Sequence, residues 1–217
     1  MVSVMLNKII YLLILGFAFF DCQASTINFD ELQPFSNYSA VPESFGSTPE
    51  VSVFYQTLNS DGTVESSNVL LWNAGYADLN TAAFANANGR LLNITLTAVN
   101  PNNYVTLSSF EVGGYLQTSR NASDLRIVDG NDITNILIDY APLGNPFTVP
   151  GDVAYTFEPN ITASSIGIIL GTSWNLGINN ITFSTTPVPL PAAFWFFGSA
   201  LAGLGVFKKG RSIKKSV

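Results

Sequence analysis

The stretch Leu92-Asn93-Ile94-Thr95-Leu96-Thr97-Ala98 alternates apolar and polar residues without a break. Side chains of a strand point alternately to opposite faces, so this period makes one face for a core and one for water. Runs of the same kind, rich in Val, Ile, Thr, Phe and Tyr, recur through residues 25–186 between clusters of Asn, Gly, Asp and Pro. They place strands at 26–30, 51–58, 64–72, 91–98, 104–112, 125–128, 133–140, 153–157, 165–170 and 179–184. Short strands at this spacing define an all-β chain, expected to be a jelly-roll-like β-sandwich. Asp61-Gly62 and Asp129-Gly130 read as tight hairpin turns whose residues tolerate positive φ. Only residues 79–88, with Ala82, Ala83, Ala85 and Ala87, suggest at most a short surface helix or loop.

Composition removes whole classes of function. The 217 residues contain no His and one Cys, which excludes His-based acid–base chemistry, Ser–His and Cys–His nucleophiles, His metal sites and a disulfide framework. Charge is unevenly spread: residues 25–186 hold Arg90, Arg120 and Arg126 against 14 acids, a net of −11 with no Lys. Nucleic acid is therefore not an expected partner.

Both ends differ from this acidic domain. Lys8, the apolar run 9–20 and Cys22-Gln23-Ala24 before Ser25 have the order of a signal peptide, residues 1–24, cleaved by signal peptidase between Ala24 and Ser25. The alternative is a lipoprotein signal modified at Cys22. Residues 187–217 join a proline-rich hinge to the apolar stretch 192–207 and to Lys208, Lys209, Arg211, Lys214 and Lys215. That order predicts a C-terminal transmembrane helix whose basic tail stays in the cytoplasm while residues 25–186 lie outside.

Val188-Pro189-Leu190-Pro191-Ala192, with the apolar span and basic tail behind it, resembles the VPLPA form of the PEP-CTERM protein-sorting signal. The commoner form has Glu where Leu190 stands. The resemblance implies an exosortase as processing partner, in bacteria that make exopolysaccharide. It also implies export, transient residence in the inner membrane, and delivery to the cell surface or extracellular matrix. Prolines keep 188–191 extended, a form an enzyme can grip as substrate. The five Asn-x-Ser/Thr sequons, at Asn37, Asn93, Asn121, Asn160 and Asn180, are not expected to carry glycans in a bacterium.

Residues 105–115 and 176–183 resemble the secreted β-sandwich domains that carry such tails, and are similar to calcium-bearing, carbohydrate-binding jelly rolls. Those begin with Ile-x-Phe-Asp/Glu, here Ile27-Asn28-Phe29-Asp30-Glu31, and end on a strand with Asp-Asp/Asn-Ile, here Asn179-Asn180-Ile181. The resemblance implies calcium held by Asp30 or Glu31 near Asn180 with backbone carbonyls; the alternative makes these residues solvated strand ends. Asp129-Gly130-Asn131-Asp132 is a second oxygen-rich loop, read as a plain hairpin.

Sugars stack their apolar faces on aromatic rings while amides and charges fix the hydroxyls. Trp72, Tyr76, Tyr115 and Trp174 are the ring candidates, with core or rim packing as the alternative for each. The three arginines pair with acids or with acidic glycans. A glycosidase needs only two carboxylates, and Asp124, Asp129, Asp132 and Asp139 are available, but no motif pairs them. The expectation is a non-catalytic exported surface or matrix protein that binds carbohydrate in a biofilm setting; a glycan hydrolase and a purely structural protein are the alternatives. Its partners would be neutral glycans, or acidic ones bridged by calcium.

Overall fold

A computed structural model describes residues 24–66, 68–171 and 173–187. Within them the strands run β1 (Ser25–Ile27), β2 (Ser39–Ala40), β3 (Val51–Leu58), β4 (Val64–Ser66), β5 (Val69–Tyr76), β6 (Leu79–Ala85), β7 (Leu91–Ala98) and β8 (Asn103–Gly114). They continue as β9 (Arg120–Ala122), β10 (Leu125–Asp129), β11 (Asp132–Asp139), β12 (Phe147–Val149), β13 (Tyr155–Phe157), β14 (Ile161–Ala163), β15 (Ser165–Leu170) and β16 (Leu176–Pro187). Two 3-10 turns, Phe29–Leu32 and Ser173–Asn175, complete the elements. Val188 onward, including the sorting motif, the span 192–207 and the basic tail, lies outside the described residues, as do residues 1–23. Among the described residues no helix is long and apolar enough to cross a membrane.

The described residues are all-β, built on antiparallel sheets. One sheet has the order β13-β8-β16-β6-β5-β2, with β1 also on β16 and β14 also on β8. The other runs β11-β10-β15-β7-β3-β4, and β12 pairs with β9 in a small ribbon. One apolar cluster joins them as a sandwich: Val53, Tyr55, Ile94, Leu96, Ile127 and Ile168 from one sheet meet Val105, Leu107, Phe110, Ile178 and Phe183 from the other. β7 shows the cause. Leu92, Ile94 and Leu96 point into that cluster, as the alternation requires. β15 and β16, last in sequence, sit between β10 and β7 and between β8 and β6, at the middle of each sheet.

β3, β7 and β15 keep the bounds read from sequence, because each carries a row of three or more alternate apolar residues into the core. The stretch 64–72 divides into β4 and β5, which belong to different sheets. The opening strand ends at Ile27, where the Asn28 side chain accepts from Asp30 N and starts the 3-10 turn. Residues 79–88 are the clearest correction: no helix forms, and β6 occupies 79–85, paired to β5 along its length and to β16 at Ala83–Ile178. Ala82, Ala83, Phe84 and Ala85 are all buried, so small side chains serve close packing on both faces rather than helix propensity.

Both hairpin turns form, by different means. At Asp61-Gly62 the glycine has φ +85°, as its residue type suggests. Gly130 does not have positive φ; a side chain there would run into the Ser165 hydroxyl, so close approach selects the glycine. Asp61 and Asp132 each accept from a threonine two residues on, through its backbone N–H and its hydroxyl. These bonds favour the ionised form and hold both carboxyls below the usual range. A group whose folded pKa lies below its unfolded value stabilises the fold above the ordinary carboxylate range and loses that contribution as pH falls through the lowered value. Acidification is therefore expected to lower the protection of the Thr63 and Thr134 amides, measured as exchange relative to the intrinsic rate at each pH, before the core amides of β7 and β15 respond. Simultaneous loss of protection everywhere would contradict this.

Candidate functional site

Gly113 on β8 and Gly177 on β16 are register partners. Their missing side chains leave a bare strip on the outer face of the sheet, and the chain at Tyr76 drops onto it. A Cβ at Gly113 would lie 2.6 Å from the Tyr76 carbonyl oxygen; one at Gly177 would lie 2.6 Å from Ala82 Cβ and 2.8 Å from the Tyr76 ring. β5 reaches this position through a register shift between Asn73 and Tyr76, with Ala74 at φ 66° and Gly75 at φ 92°. Tyr76 then bridges Tyr115, and Ala77 N donates to Gly114 O at 3.0 Å.

Aromatic rings collect around that junction. Tyr38 meets Trp72 edge-on at 5.0 Å, Trp72 meets Tyr115 at 5.6 Å, and Tyr115 meets Trp174 at 5.3 Å. Tyr76 lies beneath, 5.0 Å from Tyr115, and Phe84 closes the floor 6.4 Å from Trp72. The rings and Leu116 enclose a groove of about 380 Å³, with Asn86 and Asn88 also in its wall. Tyr38 is 64% exposed and Trp174 42%, so ring faces remain open to a ligand.

The structure brings together the four aromatics nominated from sequence, with unequal roles. Tyr76 is 1% exposed and its hydroxyl donates to the Trp174 carbonyl at 2.6 Å. Burial pushes its phenol well above the usual range, with Tyr115 and Tyr38 adding to the shift. It is a strut that positions Trp174. Arg120 braces the opposite side, its Nε donating to Tyr115 O at 3.2 Å. Sequence reasoning missed Tyr38, Phe84, Leu116, Asn86 and Asn88. Tyr38 joins the groove only because β2 pairs with β5, and Phe84 lies in the stretch read as helix or loop.

Backbone strain gathers at the same place. Of seven non-glycine residues with positive φ among the described residues, Tyr38, Ala74, Ala77, Leu116 and Gln117 surround the groove. Such conformations cost about 1–3 kcal/mol each and persist where the surroundings over-determine them, which is characteristic of binding sites.

The acids give a different picture. Asp30, Glu31 and Asn180 lie at the junction of the opening strand with β16, but Glu31 is exposed and the Asn180 amide donates to Glu111 Oε2 at 2.7 Å. Buried Asn179 takes the central place: its Oδ1 accepts from Phe29 N and Asn180 N, and its Nδ2 donates to Asp30 Oδ1 at 3.1 Å and Thr81 O at 2.9 Å. An amide N–H stands where a cation would need oxygen, so this set does not fit calcium. No group of three or more metal-ligating side chains gathers among the described residues.

Asp129 and Asp132 are spent on their hairpin, and Asp139 accepts from Ala141 N at 3.0 Å. Asp124 pairs with Arg126, and burial, partly offset by that arginine, raises its carboxyl, with Asp139 adding to the rise. Arg90 pairs with Glu65. Two arginines thus follow the surface-pairing reading while Arg120 supports the groove.

No family model matches the chain, and no curated protein does. Among solved structures it is similar to the enzymatically active domain of tailspike protein 4 of bacteriophage CBA120, at 17% identity and a TM-score of 0.26, over 69% of this chain and 22% of that one. The chain thus spans under a quarter of the protein it matches.

Proposed function

We propose that this chain is an exported surface or matrix protein whose β-sandwich binds carbohydrate in the Tyr38–Trp72–Tyr115–Trp174 groove. The carrying observation is that groove: open aromatic faces beside two asparagine amides, on a strained backbone. Among the described residues its lining holds no charged side chain, and residues 25–186 carry −11, so an uncharged polysaccharide fits and an anionic one is repelled. Strand order supports jelly-roll winding: β6-β16-β8-β13 faces β7-β15-β10-β11, with the last two strands inserted into both sheets.

The sorting reading rests on Val188 to Ala192 and the segments behind it, with exosortase as processing enzyme and the inner membrane as a transient station. β16 begins beside the groove and ends at Pro187, the residue before the motif. Intact-mass analysis of the surface protein tests processing: loss of residues 208–217 is expected, and their retention would overturn it. For the groove, affinity electrophoresis against neutral and uronic-acid polysaccharides is expected to show retardation by the neutral gel alone; no retardation by either leaves the structural role. A hydrolase reading draws on the raised Asp124 beside Asp139, and release of reducing ends that stops in Asp124→Asn would favour it.

A further inference from the structure

We propose that the Asn179 amide does the work of a cation, tying the opening segment of the domain to β16 and β6, so that the fold is independent of divalent ions. Asn179 is 1% exposed and all four of its amide contacts are made. Its orientation is determined. Turning the amide over would set oxygen against Asp30 Oδ1 and Thr81 O, and N–H against the N–H groups of Phe29 and Asn180, exchanging four bonds for four repulsions. The neighbouring acids are served in the same way: Asn80 Nδ2 donates to Asp30 Oδ2 at 3.1 Å, and Asn180 Nδ2 donates to Glu111.

Neutral donors thus serve the Asp30 and Glu111 carboxylates, while Glu31 faces solvent. Calcium requires six to eight oxygens, and here the Asn179 Nδ2 hydrogens fill the point where Asp30 and Thr81 oxygens converge. The residue joins three elements in one step: the 3-10 turn through Phe29 and Asp30, β6 through Thr81, and β16 through its own backbone.

The substitution Asn179→Asp turns the donor into a third oxygen facing Asp30 and Thr81. Without calcium the two carboxylates repel; with calcium they become ligands. Thermal melting in chelator and in millimolar calcium is the test. The unsubstituted protein is expected to melt at the same midpoint in both. Asn179→Asp is expected to melt roughly 5–10 °C lower in chelator and to recover when calcium is added. A calcium-dependent rise in the unsubstituted protein would overturn the proposal, as would a variant unmoved by chelator or not recovered by calcium. If the variant does not fold in either buffer, the unsubstituted protein's response to calcium decides by itself.

Discussion

Truncating Trp72 to alanine is expected to weaken binding of neutral polysaccharide by at least about tenfold, a loss of about 1.4 kcal/mol or more. Trp72 is the hub of the groove. Its ring touches Tyr38, Phe84 and Tyr115 edge-on, at 5.0, 6.4 and 5.6 Å. Without it the exposed Tyr38 ring loses one of two neighbours, and Tyr115 no longer has a wall on that side. Stacking on sugar then loses both the removed ring and the pre-organisation of the rings beside it. Calorimetric titration with the best-retained polysaccharide measures the effect. Leu143→Ala, at a fully exposed loop position, is the control and is expected to bind as the parent does. A Trp72→Ala protein with parental affinity would remove the groove from the function.

The second large effect concerns the core. Phe110→Ala is expected to cost about 3–5 kcal/mol of folding stability, read as a lowered urea midpoint at unchanged slope. Phe110 is 0% exposed and stacks on Phe157 at 5.1 Å and 14°. Phe157 in turn touches Tyr155 of its own strand, Tyr140 after β11 and Phe147 of β12. The truncation opens a cavity where β13, the β9–β12 ribbon and the residues after β11 come together, and rings held from several directions cannot collapse into it. Since a domain's net stability is about 5–15 kcal/mol, this one change removes a large share. A loss under about 1 kcal/mol would mean that this corner is loosely packed. The groove lies elsewhere, so affinity measured below the unfolding transition is expected to be parental.

The two sites differ in how far they were legible beforehand. Trp72, Tyr76, Tyr115 and Trp174 could be nominated because aromatic residues near strand ends are conspicuous, yet nothing in their spacing showed that they meet. They meet because Gly113 and Gly177 fall opposite each other and leave room for the chain at Tyr76. That is a matter of register between strands far apart in sequence. At the opening strand the residue types pointed to a cation, and the decisive group was the neighbouring Asn179, whose donor orientation follows from partners on the 3-10 turn and β6 and from Asn180 on its own strand.

Alternation along residues 91–98 and its like determined by itself that the domain between the two ends is all-β, where β3, β7 and β15 begin and end, and which faces are apolar, since a period of two is a local property of side-chain direction. Charge order likewise marked off the acidic domain from both ends of the chain. The tertiary structure decided which strands are neighbours, that the alanines of 79–85 lie in a strand, that Gly130 answers to a close approach, and that an amide holds the opening strand in place. Each of these depends on what lies opposite a residue across the sheet or the core, and that information is absent from any local window of sequence.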